Sequence, residues 1–381
     1  MKSILVLLLS LSALSLKAQT TAFESYKTLT DTVINSERLG FEKHVRVTVP
    51  FNWQPDLQAE FPLIVVFDSQ NEKSHGYILN TIDYLTSNQQ MPLSVVISVN
   101  SVEQHRVSET LHRVSGEKGK LSENEEFLFE ELIPLAEEKW KASDFRILVG
   151  HSRYGYFTTS LFHSRIEDLN AVVSLSPFFY QENVNLVDSV MSLNNRELNS
   201  SKYYRFGIGN DFPDQFYAMD SVLKTVDHPM INASGKLFRE ADHNVTPGLT
   251  IAPALYDIFE YWSAAQAVYF DNDNKDFGQL AIQSQNIREH YGSNLNFALG
   301  ILNGKGWYFY NEGKFEMAIA AWREMMMSYP NFSEGFLYIV YAEQELGRNT
   351  EQSEKFLRNS LEKSQIYSDD EKAEILNEIE K

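Results

Sequence analysis

Residues 146–159, Arg-Ile-Leu-Val-Gly-His-Ser-Arg-Tyr-Gly-Tyr-Phe-Thr-Thr, constrain the fold more than any other stretch. Three apolar residues, Ile147, Leu148 and Val149, enter Gly150-His151-Ser152, and the chain leaves into a segment that can be helical. The pattern predicts a strand, a sharp turn with Ser152 at its tip, and a helix. Such a turn holds a serine oxygen clear of the backbone, and the helix start behind it supplies N–H groups and a positive dipole end where an oxyanion would form. The bland alternative is a serine that caps the helix by accepting from an early N–H. In the G-x-S-x-G form of this turn the second glycine lets helix and strand touch. Here Tyr154 stands in that place and Gly155 follows. Either Gly155 takes the close contact or the turn is built differently.

The surrounding chain alternates strand and helix signals. Residues 45–49 alternate apolar with polar and end at Pro50, as a half-exposed strand does. Residues 63–67, Leu-Ile-Val-Val-Phe, form a continuous β-branched run suited to a strand buried on both faces, ending in Asp68-Ser69-Gln70. Further strands are expected at 94–99, 171–175, 205–208 and 236–239, and helices at 76–87, 124–141 (with Pro134 as a potential kink) and 250–262. Between them lies a polar stretch with His105, Arg106, His112 and Arg113, expected to be a loop. This spacing predicts an α/β domain with a central, mostly parallel sheet. Ligands of such sheets sit at the carboxyl ends of strands. Ser152, Asp211 and His243 each fall just past an expected strand end, in the order Ser, Asp, His of α/β-hydrolases.

That placement carries a specific chemistry. His243 would take the proton of Ser152 as it attacks an ester carbonyl and return it to the leaving alcohol. Asp211 is the expected acid, with Asp214 and Asp242 as alternatives, and a Ser–His pair without an acid is a further one. The oxyanion donors would be the N–H of Arg153 and one from the Ser69-Gln70 loop. Phe178, Phe179 and Tyr180, past the 171–175 strand, can line a substrate pocket or belong to the core. Arg106, with its neighbours, can hold an acidic substrate group or sit in solvent. His151 is expected to point away from the nucleophile and to pack against the turn or orient it. The histidines lack ligand spacing with nearby acids, so neither a metal nor another cofactor is expected.

A net charge of −19 argues against nucleic acid and anionic membrane surfaces as partners. Met1-Lys2-Ser3 followed by the apolar residues 4–16 and Ala18 reads as a secretory signal over 1–18, too short to span a bilayer. There is no cysteine, so neither a disulfide nor a lipid-bearing thiol is available, and export to the periplasm or outside the cell is the expectation. The hydrolase domain is expected over 19–265 and an all-α region over 266–381. In the latter, Gly347-Arg348 repeats Gly313-Lys314 at an offset of 34 residues, and Phe356 repeats the place of Trp322 at the same offset. That is the tetratricopeptide period, and about two such repeats are expected, packing on each other and on 277–291 or docking a protein partner.

These residues together resemble the esterase family of α/β-hydrolases that includes enterochelin esterases, esterase D and feruloyl esterases. The resemblance runs through Val45-Arg46-Val47-Thr48-Val49-Pro50, the strand end from Pro62 to Gln70, Gly150 to Gly155, Ser176 to Tyr180, and Ala241-Asp242-His243. Ser69 and Tyr154 depart from it, each standing where the family has glycine. The resemblance covers about residues 36–263, and a subset of bacterial members is similar further on, with tetratricopeptide-like repeats. It implies a serine carboxylesterase acting on a small-molecule ester such as a siderophore lactone, a feruloyl ester or an acyl sugar. The rival expectation is an inactive hydrolase fold that binds partners through its repeats, and acyl transfer to an alcohol is a third.

Overall fold

The computed structural model describes residues 23–271 and 278–380, so the expected leader at 1–18 lies outside the described residues. Eight strands form one sheet: β1 (Tyr26–Ser36), β2 (Phe41–Pro50), β3 (Phe61–Phe67), β4 (Val95–Val99), β5 (Ala142–His151), β6 (Ala171–Leu175), β7 (Lys202–Ile208) and β8 (Ile231–Leu237). Their spatial order is β1-β2-β4-β3-β5-β6-β7-β8. β1 and β2 pair antiparallel at one edge, and every pairing from β4 to β8 is parallel. This is the sheet of an α/β-hydrolase fold.

Burial on both faces explains the continuous apolar strands. Leu63 and Val65 of β3 pack into one apolar cluster, with Tyr154, Phe157, Phe216 and Met219 of α3 (Arg153–Ser164) and α4 (Pro213–Leu223). Ile64 and Val66 pack into the other, with Ile78 and Ile82 of α1 (Glu72–Ser87) and Ile251 and Leu255 of α5 (Thr246–Ile258). Alternate side chains of one strand thus serve opposite layers.

Three elements differ from the sequence reading in kind or bounds, and β1 has no counterpart in it. Residues 103–110 form helix α2 (Glu103–Thr110), where a polar loop was expected. Its composition is polar because its inward Glu109 meets a buried lysine and not an apolar wall. The last strand runs Ile231–Leu237, earlier than expected; it is the sheet edge, with alternating exposure and a single partner, β7. Finally, Pro134 cannot donate to the carbonyl a turn back, and the helix accommodates it with a π-helical stretch, Phe127–Leu132, between Leu121–Glu126 and Ile133–Trp140.

From Glu260 the elements among the described residues are all helices: α6 (Glu260–Phe270), α7 (Gly278–Tyr291), α8 (Leu299–Asn311), α9 (Phe315–Ser328), α10 (Glu334–Glu345), α11 (Glu351–Lys363) and α12 (Asp369–Glu378). The turns between α8 and α9 and between α10 and α11 carry Gly313 and Gly347 at φ 69° and 65°, which fits their lack of a side chain. These helices seat on the amino ends of the parallel strands. Asn170, just before β6, donates to the Tyr291 carbonyl at 2.8 Å, and the Ser201 N–H, just before β7, donates to the His290 carbonyl at 2.8 Å. Ser293 donates to Asp144 at 2.6 Å near the start of β5. One apolar cluster runs unbroken from Ile64 and Val173 of the sheet through Trp262 and Tyr291 to Trp322 and Met325. No helix among the described residues is long and apolar enough to cross a membrane.

Candidate active site

At the opposite, carboxyl edge the three neighbouring strands β3, β5 and β6 each hand over to a non-glycine residue at positive φ. These are Asp68 (63°), Ser152 (59°) and Ser176 (45°). Such backbone is costly for residues with a Cβ, and three in a row mark the edge as built for something other than stability. The turns are pinned by bonds that extend the ladders. The Ser152 N–H donates to the Leu175 carbonyl at 2.8 Å, and the Ser176 N–H to the Gly207 carbonyl at 2.8 Å.

Ser152, half-buried at φ 59° and ψ −115°, forms the sharp turn, and its side chain makes no capping bond to α3. A Cβ on Gly150 would lie 2.2 Å from the Tyr154 carbonyl oxygen, so only glycine admits the helix this close. Gly155 takes the second close contact, its hypothetical Cβ 3.1 Å from Pro177. Tyr154 is displaced from that contact and points inward instead. It is fully buried, its ring stacked on Phe67 with centroids 4.6 Å apart.

Asp211, three residues past β7, meets His243 in the turn before α5: His243 Nδ1 lies 2.5 Å from Asp211 Oδ2. Ser176 donates to the same oxygen at 3.4 Å. With Nδ1 engaged, Nε2 of His243 is the nitrogen left to handle a substrate proton. The imidazole lies beside that of His151, the residue preceding Ser152, with centroids 4.7 Å apart. Among the described residues Ser152 and His243 make no direct hydrogen bond; such contacts commonly tighten only once substrate is bound. The other candidate acids do not meet His243 in this way. Asp214 is exposed in the first turn of α4, and Asp242 accepts from the N–H groups of Asn244 and Val245, both at 2.9 Å.

His151 both packs beside the turn and orients it. Its Nε2 lies 3.1 Å from the His243 carbonyl, which ties the histidine turn to the serine turn. Burial, with nearby His243 second, pushes its pKa down to about 4, so the ring is neutral and donates through Nε2–H.

Of the two loop candidates for the oxyanion, Ser69 is corrected: its N–H donates to the Val99 carbonyl at 3.1 Å. The N–H groups of Gln70 and Arg153 enter no hydrogen bond among the described residues. The register of β3 beside β5, Val66 against Val149, brings their following turns side by side. A cavity of about 610 Å³ has Ser69, Gln70, His44 and Arg46 in its wall but neither Ser152 nor His243.

The pocket candidates separate. Phe179 is core, edge-on to Phe206 at 5.5 Å, and Tyr180 is 57% exposed. Phe178 is half-buried and stacks on Tyr156 at 5.1 Å, and Phe212, absent from the sequence reading, links Phe178 (6.3 Å) to the His243 ring (6.2 Å). Arg106 does not point free into the site. It grips Asp68 through Nε at 2.9 Å and Nη2 at 2.5 Å. His105 stacks on Phe41 at 3.9 Å, His112 bonds the Tyr156 hydroxyl at 2.7 Å, and Arg113 is exposed on a short hairpin, Arg113–Val114 with Glu117–Lys118. Among the described residues no three of His, Asp or Glu converge as a metal site would need.

Comparison with known proteins adds the following. The profile of the family described as "Putative esterase" matches residues 36–228, just over half of the chain; Ser152 and Asp211 lie within the match and His243 beyond it. No curated protein matches the chain. Among solved structures, an uncharacterised protein from Capnocytophaga ochracea is 14% identical with a TM-score of 0.58, over 92% of this chain and 99% of that one. An IroE-like serine hydrolase from Shewanella oneidensis is 14% identical with a TM-score of 0.63, over 80% of this chain and 100% of that one. The BES protein from Bacillus cereus is 14% identical with a TM-score of 0.53, over 63% of this chain and 98% of that one. At this identity the likeness is one of fold.

Proposed function

The chain belongs to this esterase family and is a carboxylic ester hydrolase, and we propose that it works through Ser152, His243 and Asp211 by way of an acyl-enzyme. Ser152 Oγ attacks the ester carbonyl and gives its proton to His243 Nε2. The imidazolium that forms is held by Asp211 through Nδ1–H, and its proton then goes to the departing alcohol. Water next attacks the acyl group on Ser152, with His243 again taking the proton. The N–H groups of Arg153 and Gln70 face the negative oxygen, each such donor contributing about 3 kcal/mol to the barrier's lowering.

The observation that carries this reading is the 2.5 Å contact of Asp211 with His243, beside a serine in a strained turn that caps nothing. The substrate we propose is a small ester of the siderophore, feruloyl or acyl-sugar kind; the half-buried row of Phe178 and Phe212 beside His243 suits an acyl or aryl group. We further propose export by the 1–18 leader to the periplasm or outside the cell. The region from 266 is proposed to be a tetratricopeptide-like pair of hairpins bracing the 19–265 domain, supported by the Gly313 and Gly347 turns 34 residues apart. The test is hydrolysis of a nitrophenyl ester and labelling by a fluorophosphonate probe. Ser152→Ala should lower kcat by about 10³-fold or more and abolish labelling. Equal turnover by both forms refutes the mechanism.

A further inference from the structure

The two N–H groups assigned to the oxyanion come from segments far apart in sequence, and a continuous chain of polar contacts, buried at its centre and exposed at Gln70, joins them. Tyr154, directly after Arg153, donates its hydroxyl to Glu109 Oε1 at 2.5 Å. Lys43 Nζ donates to both Glu109 oxygens, at 3.0 and 3.1 Å, and lies 3.3 Å from the Tyr154 hydroxyl. The Ser101 hydroxyl donates to the same Glu109 oxygen, while the Ser101 N–H donates to Gln70 Oε1 at 2.9 Å. The other end of the Gln70 amide donates to Asp68 Oδ1 at 2.9 Å, the carboxylate that Arg106 grips. Gln70 is therefore held by both ends of its side chain, while its backbone N–H makes no bond among the described residues.

The four side chains at the centre are out of solvent: Lys43 and Ser101 are 2% exposed, Glu109 and Tyr154 0%. Apolar residues of similar volume would commonly fill such a space at less cost, because ions in a low-dielectric interior surrender their hydration. What a fully satisfied polar network provides is fixed geometry. Burial and the adjacent Glu109 raise the Tyr154 phenol well above its ordinary value, so it is a donor at any working pH.

We propose that Tyr154, Glu109, Lys43 and Ser101 are positioning residues that set the separation of the Arg153 and Gln70 N–H groups. Gly155 takes the close contact of the motif's second glycine, and the network holds the Tyr154 side chain that is displaced from it. The inference rests on Ser152 being the nucleophile.

Tyr154→Phe keeps the ring on Phe67 and removes only the hydroxyl. Its kcat on a nitrophenyl ester should fall about 10- to 100-fold, with KM within about twofold. Affinity for a trifluoromethyl ketone, which forms a tetrahedral adduct, should fall by the same factor as kcat/KM, and the pH profile of kcat/KM should keep its shape because His243 is untouched. Ser101→Ala, which keeps the backbone bond to Gln70, should act in the same direction, and it carries the test if the first variant does not fold. Unchanged kcat and ketone affinity in the folded variant, with only thermal stability reduced, overturn the inference. So does a pure rise in KM. Turnover surviving in Ser152→Ala overturns the reading of the nucleophile and this inference with it. Turnover lost in Ser152→Ala but intact in Tyr154→Phe overturns this inference alone.

Discussion

Acidification from pH 7 to pH 5 should destabilise this protein by several kcal/mol, because three histidines are buried uncharged. The pKa values of His75, His151 and His163 are each pushed down to about 4, in every case first by burial and second by a nearby cation or imidazole: Arg46, His243 and Arg196 respectively. In the unfolded chain an imidazole titrates near 6.5. The folded values lie below the unfolded one, so between pH 6.5 and 4 the unfolded chain binds more protons. Stability is therefore complete above about 6.5 and is lost as the pH falls toward 4. For one such group the loss between pH 7 and pH 5 is about 2 kcal/mol, and for three together roughly 5, offset in part by Glu324, whose carboxyl burial raises to about 7 and which therefore favours the folded state as the pH falls. His163 isolates the effect, since both its ring nitrogens are buried without a hydrogen-bond partner among the described residues. His163→Leu removes an unpaired polar ring at similar volume, so at pH 7 it should be neutral to stabilising. At pH 5 it should recover about 2 kcal/mol, flattening the pH dependence by that amount. Urea unfolding of both proteins at the two pH values measures this directly. Equal midpoints for the parent at pH 7 and 5 would refute the reasoning, as would a His163→Leu protein that keeps the whole acid loss.

Two further substitutions probe the carboxyl edge. Asp211→Asn should lower kcat about 10³- to 10⁴-fold by presenting the wrong partner to His243 Nδ1, whereas Asp214→Asn, exposed on α4, should leave kcat on the same ester nearly unchanged. Gly150→Ala would put a Cβ 2.2 Å from one backbone oxygen and 2.5 Å from its carbon. The turn must move, at about 3 kcal/mol, and a melting temperature equal to the parent's would contradict that.

What was legible follows from where the physics is local. The runs at 63–67, 95–99 and 171–175 declare themselves because strands buried on both faces leave no polar alternative. The rule that ligands gather past strand ends then singles out Ser152, Asp211 and His243 without any knowledge of their neighbours. The rest depends on partners remote in sequence. α2 reads as a loop because its inward residue is Glu109, whose burial makes sense only with Lys43 opposite. Choosing Gln70 over Ser69 needs the position of the Val99 carbonyl, which belongs to another strand. Tyr154 looks like a defect in a glycine motif until Glu109 is seen to receive its hydroxyl. β1 is an edge strand whose outer residues are largely exposed, and it leaves almost no apolar signature.

The seating of the helical region on the amino ends of the strands has a practical consequence. Whatever grips the outer surface of α10 to α12, be it a fusion partner, a resin or another macromolecule, holds the molecule by its back. The carboxyl edge of the strands, where the catalytic residues are proposed, lies on the side away from that grip. Tethering through the last helix should accordingly spare turnover, while an attachment near Phe212 or Val245 should block it.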